Sequence, residues 1–576
     1  MTRFSSLQSH LTRSRPSVLL RTFLAILRRD GLSAVTTRLI RWLRGERRFY
    51  QAKDRTNTPH AYRIFRSLFE PDEAALQQQR EEAAAIIKWI NFSIVALAQT
   101  EHPDTQFTLD SLRAQTYPHW STDDMTGDWY VRLNAGDELA PFALFAMAKA
   151  IRAFPDAIAL YADEDQLDQD FARRSPQFKP DYSPEGMISQ DLFEGLCAFR
   201  SDLPVEPTDR ALGYRLAELL EHGGRAVHIP QILVHRRTPA ARPEAAFIAD
   251  HLRRTGIENP HVTVNGGIVR AGWEPKPRTV GIIIPSLDKP DVISRCLSSL
   301  FRLTANIRFH VIIVDTGSTD PRTQAVYDQY AADERFRVVR YRGETFNFGR
   351  ACNQGAAASD AELLLFLNND TEILHPDWLA RMAQWLDRDK VGVVGAKLLY
   401  PNGRLQHAGV IVGLNGMASH LFGGEREHTS SIFGTDDAYR NFSAVTGACL
   451  LTRRDVYEAV GGWDERYPLN YSDVQFCLDA IQKGYRVVYT PDARLIHHES
   501  ISRGSRVPKV DFEIANERWA DILTAGDPFY NPNLSFRTTF PNLRQSHEDT
   551  AAAVNRYVMS RLPADRDYVI VPDDLV

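Results

Sequence analysis

The chain has 576 residues, of which 43% are hydrophobic and 24% charged, and its formal net charge is -5. The length implies two to four domains, and the composition is that of a soluble globular protein. No apolar run approaches the roughly 18 residues of a membrane span, and Cys197, Cys296, Cys352, Cys449 and Cys477 are scattered, odd in number and without CxxC spacing, which excludes a disulfide frame or zinc site and predicts buried, reduced thiols.

Charge is spread unevenly. Residues 1–55 carry Arg13, Arg15, Arg21, Arg28, Arg29, Arg38, Arg41, Arg44, Arg47 and Arg48 against very few acids, so this arm is about ten units positive and the remainder acidic. Leu19, Leu20, Phe23, Leu24 and Leu27 recur at helical spacing, and Leu39, Ile40, Trp42 and Leu43 follow among the arginines. Two readings stand side by side: a basic amphipathic helix on an anionic membrane surface, or a helix packed on the protein body with a solvated basic face. No nucleic-acid module accompanies the charge, so nucleic acid is not an expected partner. The stretch Val18 to Leu27 is short, is interrupted by Arg21 and precedes no small-residue cleavage site; it does not read as a signal peptide.

Beyond the arm come Ser111 to Pro118, then Asp128 to Leu139, Tyr161-Ala162-Asp163-Glu164-Asp165, Gly195 to Arg200 and Gly223 to Pro230. Gly266 to Arg278 is rich in Gly and Pro and ends before a new strand, marking a join. After it, Val280 to Ile284 is an apolar run closed by Pro285 and Ser286, followed by a helical stretch from Val292 to Phe301. His310 to Val314 is a second apolar run with Asp315 at its tip and a turn at Gly317. Phe346 to Ala356 reads as a helix entry, and Leu363 to Leu367 is a third apolar run that stops at Asn368-Asn369-Asp370. Strands buried on both faces read as continuous apolar runs, and ligands of open α/β sheets bind at their carboxyl ends. An acid at such an end can hold a divalent cation against phosphates, although a polar turn is the simpler reading of the segment alone.

Further on, Thr446-Gly447-Ala448-Cys449 opens another strand, Gly461-Gly462-Trp463-Asp464-Glu465 makes a turn, and Asn470-Tyr471-Ser472-Asp473 starts a helix through Ile481. Asp at a helix start is commonly only a cap. Ala493 to Gly504 carries His497, His498, Ser502 and Arg503 after the last strand.

Taken together these motifs resemble family 2 glycosyltransferases of the GT-A fold. The resemblance implies an α/β protein of two tandem GT-A-like modules, Rossmann-type with mostly parallel sheets, the first degenerate, preceded by a basic helical arm. The boundaries read as 1–88 for the arm, 89–270 for the degenerate module, 278–535 for the catalytic module and 536–576 for a C-terminal tail. By the same resemblance Asp473 is the general base. Pro285, Ser286, Asp288, Asp315, Asn347, Arg350, Asn353, Asn368 and Arg503 bind the nucleotide-sugar, Thr446, Gly447, Trp463 and Asp464 the acceptor, and Asp370 and His497 the metal. Here the first acid of the metal motif is Asn368, and Gln475 stands where an acid is often found.

The implied cofactor is Mg²⁺ or Mn²⁺. The implied partners are a nucleoside-diphosphate sugar donor and a glycan or lipid-linked glycan acceptor, with peripheral membrane contact through the arm. The expected place is the cytoplasm, at the inner face of the membrane. Over nearly its full length the chain resembles two-module enzymes of bacterial O-antigen and surface-polysaccharide assembly, further likenesses being Phe178 to Glu185 and Asp527 to Leu534; rhamnose is a donor compatible with that likeness.

The region from about 90 to 240 reads as a worn copy of 280 to 500. Leu133 aligns with Leu367, which sets Gly136 against Asp370, and reading back from Pro230 and Pro491 sets Leu212 against Asp473. The strand that should carry a base-reading Asp is expected to be missing, and the Asp163 region to be a shared polar turn. A bifunctional enzyme and a non-catalytic glycan-binding scaffold are the alternatives; the lost acids of the copy argue against the first, and Asp315, Asp370 and Asp473 against the second. A nucleotidyltransferase would need a Gly-rich phosphate loop after the first strand, which Pro285 to Asp291 lacks.

Overall fold

The computed structural model describes residues 57–85, 90–96, 104–122, 125–237, 242–498 and 506–570. The basic arm lies outside the described residues up to 56. Its described part holds two helices, Pro59–Phe69 and Glu73–Ala84. Thr58 caps the first by accepting from the Ala61 N–H, and Pro59 opens it at a position where no N–H is needed. Its buried face anchors the helix: Phe65 packs edge-on against Phe178, and the Tyr62 hydroxyl donates to Asp165 at 2.5 Å.

The second module is organised around a mixed sheet. Its spatial order is Phe336–Arg340, Arg308–Asp315, Thr279–Ser286, Leu363–Leu367, Cys449–Arg453, Val391–Leu399, Arg486–His497 and Thr371–Ile373. The first four strands run parallel; Cys449–Arg453 is antiparallel to both its neighbours, and Val391–Leu399 pairs in parallel with Arg486–His497. The apolar runs are here because both faces are covered: every residue of Leu363–Leu367 and all but the first of Thr279–Ser286 are buried. Helix Phe348–Ala357 lies directly on this sheet, and Gly355 permits it, since a Cβ there would stand 2.3 Å from Ile283 Cγ2.

The first module repeats this order and these directions: Trp120–Ser121, Phe92–Ala96, Trp129–Leu133, Cys197–Arg200, Ala157–Leu167, Arg225–Arg236 and Glu138–Leu139. The counterpart of Phe336–Arg340 is absent among the described residues. The counterpart of Arg308–Asp315, expected to be missing, is instead reduced to the two residues Trp120–Ser121, too short to carry an acid to the sheet end as Asp315 is carried. The registers agree as well, Leu139 facing Val234 as Ile373 faces Leu495.

The join contains a hairpin, His261–Asn265 with Ile268–Gly272, and the segment after it is locked to the second module by Trp273, whose indole donates to the Gln384 carbonyl at 3.0 Å. The modules share one apolar core, with Met187, Leu212 and Trp273 in the same cluster as Trp385, Tyr439 and Leu451. The two segments Phe178 to Glu185 and Asp527 to Leu534 meet each other: the Asp181 N–H donates to the Pro528 carbonyl and the Asn531 amide to the Lys179 carbonyl, and that amide also reaches both Asp163 oxygens. Residues after 535 pack back on the second module, where helix Ala551–Met559 covers the turn Leu414–Gly416 and Asn555 donates to the Gly416 carbonyl. All five cysteines are free and buried.

Between the modules lies a buried ionic cluster. Glu185, fully buried, accepts from Arg388 Nε at 2.9 Å, Arg486 Nη2 at 2.8 Å and Asn441 Nδ2 at 2.7 Å, and Glu221 meets both arginines. Burial pushes the Glu185 carboxyl up, but Arg486 and Arg388 outweigh it and hold it below the usual range. Removing one member of such a cluster strands buried charge. Glu185→Ala is therefore expected to cost about 3–5 kcal/mol, read as a lowered denaturation midpoint; a change under about 1 kcal/mol would show that the cluster does not hold the modules together.

Candidate active site

The parallel strands deliver their polar tips to one edge. Ser286 and Asp315 are direct cross-strand partners, and Asn369 Nδ2 donates to Ser286 Oγ at 3.3 Å. Asp315 Oδ1 accepts from the N–H groups of Gly317 and Ser318 at 2.9 and 2.8 Å. Burial raises this carboxyl, but those two donors outweigh it and keep it below the usual range, so it is an anion at neutral pH. Asp288, held at a φ of 45°, accepts from the N–H groups of Thr319 and Asp320 and so staples the first strand's loop to the second's. Around Asp315 a pocket is lined by Ser318, Gln324, Tyr327, Val338 and Arg340.

At the third strand's tip Asp370 and His497 come together. Thr371 is the strand partner of His497, and the Asp370 carbonyl accepts from the His498 N–H at 2.8 Å. This brings Asp370 Oδ1 to 3.0 Å from His497 Nε2. Asn368 Nδ2 also approaches that nitrogen, at 3.2 Å, and Gln406 Oε1 lies 2.7 Å from Nδ1. A carboxylate oxygen and an imidazole nitrogen are both donor types that divalent cations accept, so Asp370 and His497 are the residues that would hold one. Among the described residues no group of three or more His, Cys, Asp and Glu side chains is placed to hold a metal. Two protein ligands with the rest from phosphate oxygens and water is the usual pattern for Mg²⁺ at phosphate sites.

A cleft opens beside this pair, lined by Asn368, Gln406, Ser419, His420, Thr446, Gly447, Tyr471, Asp473 and His497 among others. Asp473 stands in the first turn of helix Ser472–Gln482. Its Oδ2 accepts from the Gly447 N–H at 2.8 Å and its Oδ1 from the Val474 N–H at 2.9 Å. A side chain at position 447 would crowd this contact, since a Cβ there would meet Asp473 Cβ at 3.2 Å and Trp463 Cη2 at 3.0 Å. The helix is entered through Tyr471 at a φ of 68°, a conformation costly for a bulky residue. Three neighbours hold it: Phe512 and Trp519 pack edge-on against the Tyr471 ring, and Asp511 accepts from the Asn470 N–H at 2.9 Å. Burial raises the Asp511 carboxyl to about 6.

Not every expected site residue lies in these two hollows. Asn347 caps helix Phe348–Ala357 and donates to the carbonyls of Glu465 and Tyr467; Arg350 pairs with Glu465; Asn353 donates to the Trp463 carbonyl and Glu465. These three residues tie the helix to the turn after Gly461. Trp463 is buried among Phe348, Phe366 and Phe476, and Asp464 pairs with Arg466 and Arg518. Pro285 lies within its strand opposite Val314. Arg503 lies outside the described residues. Conversely, Gln406, His420, Arg340 and Asp511 border the site without having been singled out by sequence, since none belongs to a periodic run or stands at a strand end.

In the first module the equivalent geometry is filled by fixed charges. Arg236 takes the place of His497 and Gly136 that of Asp370 in the matching registers. Arg236 bonds Glu164 and Glu194 and is buried. The acids of Tyr161 to Asp165 are likewise engaged: Asp163 by His228 and Asn531, Glu164 by Lys179, and Asp165 by Tyr62, Arg173 and His235.

Comparison with known proteins bears on the second module directly. O-antigen biosynthesis protein RfbC of Myxococcus xanthus is 36% identical over 467 residues, covering 77% of this chain and 36% of that protein. Uncharacterized protein y4gI of Sinorhizobium fredii is 34% identical over 447 residues, covering 71% of this chain and 48% of that protein. The chain thus spans less than half the length of either. N-acetylglucosaminyl-diphospho-decaprenol L-rhamnosyltransferase of Mycobacterium tuberculosis is 27% identical over 233 residues, covering 37% of this chain and 73% of that protein. Residues 281–461, which contain Ser286, Asp315 and Asp370, match the family described as Glycosyl transferase family 2, so the second module carries a domain of that family.

Proposed function

We propose that the chain is an inverting, metal-dependent glycosyltransferase that moves a sugar from a nucleoside diphosphate to a glycan or lipid-linked glycan in the synthesis of a cell-surface polysaccharide. The observation that carries this reading is the convergence on one cleft of His497, with Asp370 against it, and Asp473. A relative named for O-antigen biosynthesis supports the polysaccharide setting, and one whose name joins an L-rhamnosyl group to N-acetylglucosaminyl-diphospho-decaprenol supports a lipid-linked acceptor.

The chemistry follows from charge. As the sugar leaves, the diphosphate gains negative charge; a bound Mg²⁺ or Mn²⁺ supplies Lewis-acid stabilisation of that charge. Asp370 and His497 are the residues that hold the cation, while Asp315 and Ser286 hold the nucleoside end. The acceptor hydroxyl is far too weak an acid to ionise at neutral pH, so a carboxylate must take its proton as attack proceeds. Asp473 does this, oriented by the Gly447 N–H. One metal-binding acid and one base on opposite sides of the anomeric carbon describe a single displacement with inversion, whereas a double displacement would use two carboxylates. The first module is a silent copy, its cation position taken by the Arg236 guanidinium.

Asp370→Ala is expected to abolish transfer and with it the stimulation by Mg²⁺ or Mn²⁺, measured as donor turnover with and without added metal. A fully active, still metal-stimulated variant would refute the assignment. Asp473→Asn should keep donor binding and lower turnover by roughly 10²–10⁴; an equal loss of donor affinity and rate would mark Asp473 as a helix cap only.

A further inference from the structure

We infer that Gln406 is a positioning residue for the cation site, deciding which imidazole nitrogen of His497 faces Asp370; this rests on the metal-dependent reading above. Gln406 lies on the short strand Leu405–His407, which is fixed to the sheet by pairing of His407 with Leu398 and Leu405 with Leu399. Its side chain is buried, 2% exposed, and its Oε1 stands 2.7 Å from His497 Nδ1. An amide oxygen only accepts, so Nδ1 carries the proton of that bond. A neutral imidazole has one N–H, which leaves the lone pair on Nε2.

The other side of the ring agrees. Asn368 Nδ2, a donor, stands 3.2 Å from Nε2, and Asp370 Oδ1, an acceptor, stands 3.0 Å from it. With the lone pair on Nε2, the Asn368 amide is satisfied and two electron-pair donors, nitrogen and carboxylate, face each other, the arrangement that a cation between them stabilises. With the proton on Nε2, the Asn368 amide would meet another donor and the lone pair would be turned away from Asp370. Groups that fix the free nitrogen of a metal-ligating histidine typically change metal affinity 10–100-fold when removed. The backbone of Gln406 is held in turn by His420, whose Nδ1 lies 2.8 Å from the Gln406 carbonyl. His420, at the end of strand Ala418–His420, also lines the cleft.

The test is Mn²⁺ binding to the full-length protein, followed by the electron paramagnetic resonance of free and bound ion, with pulsed detection of nitrogen coupled to the bound ion. Wild type should bind Mn²⁺ with imidazole nitrogen coupling that His497→Ala removes. Gln406→Leu should weaken binding 10–100-fold and diminish the coupling, whereas Gln406→Glu, which keeps an acceptor oxygen at the same place, should retain both. Folded Gln406→Leu that binds Mn²⁺ with unchanged affinity and coupling would overturn the inference alone. Wild type that binds no Mn²⁺, or binds it without nitrogen coupling, would overturn the assignment of His497 and this inference with it.

Discussion

The strand register that sets Thr371 opposite His497 is the constraint on which the cleft depends. Asp370 precedes Thr371 by one residue, so the pairing that joins two distant segments also fixes a carboxylate beside an imidazole. A slip of one residue would turn every side chain on the strand to the other face and part the two groups. The Asp370 carbonyl reinforces the register by accepting from the His498 N–H. On the opposite wall, the strained entry at Tyr471, braced by Asp511 and two aromatic rings, delivers Asp473 to the Gly447 N–H. The site is thus assembled from one sheet edge and one helix start, both rigid elements.

The first module shares the topology of the second and differs from it at the polar end of the sheet. Strand order and direction persist, yet the nucleotide-side strand shrinks to Trp120–Ser121 and buried ion pairs fill the polar end of the sheet. Buried pairs of this kind are weak contributors to net stability but are costly to break. The shared core and the Glu185 cluster join it to the second module.

Much of this was legible in the sequence because continuous apolar runs mark buried parallel strands and acids at their ends stand out. Asp315, Asn368 and Asp370 were located in that way, and the spacing around Leu133 and Leu367 anticipated the register of the copy. Polar residues within helices and turns were less informative. Asn347, Arg350 and Asn353 look like ligand contacts in a motif, yet their side chains bond the turn at residues 463–467. Trp463, expected by resemblance to bind the acceptor, is enclosed by three phenylalanines. Gln406 and Asp511 carried no signal, since their roles arise from contacts across 91 and 41 residues of chain.

The central claim is that one catalytic site per chain resides in the second module while the first is its silent copy. It is tested most directly by calorimetric titration of UDP, GDP and dTDP, each with Mn²⁺, into the wild-type protein and Asp370→Ala. The account predicts a stoichiometry near one for the nucleotide that binds, falling to zero in Asp370→Ala. A stoichiometry near two, or metal-dependent binding that survives the substitution at a second site, would contradict it.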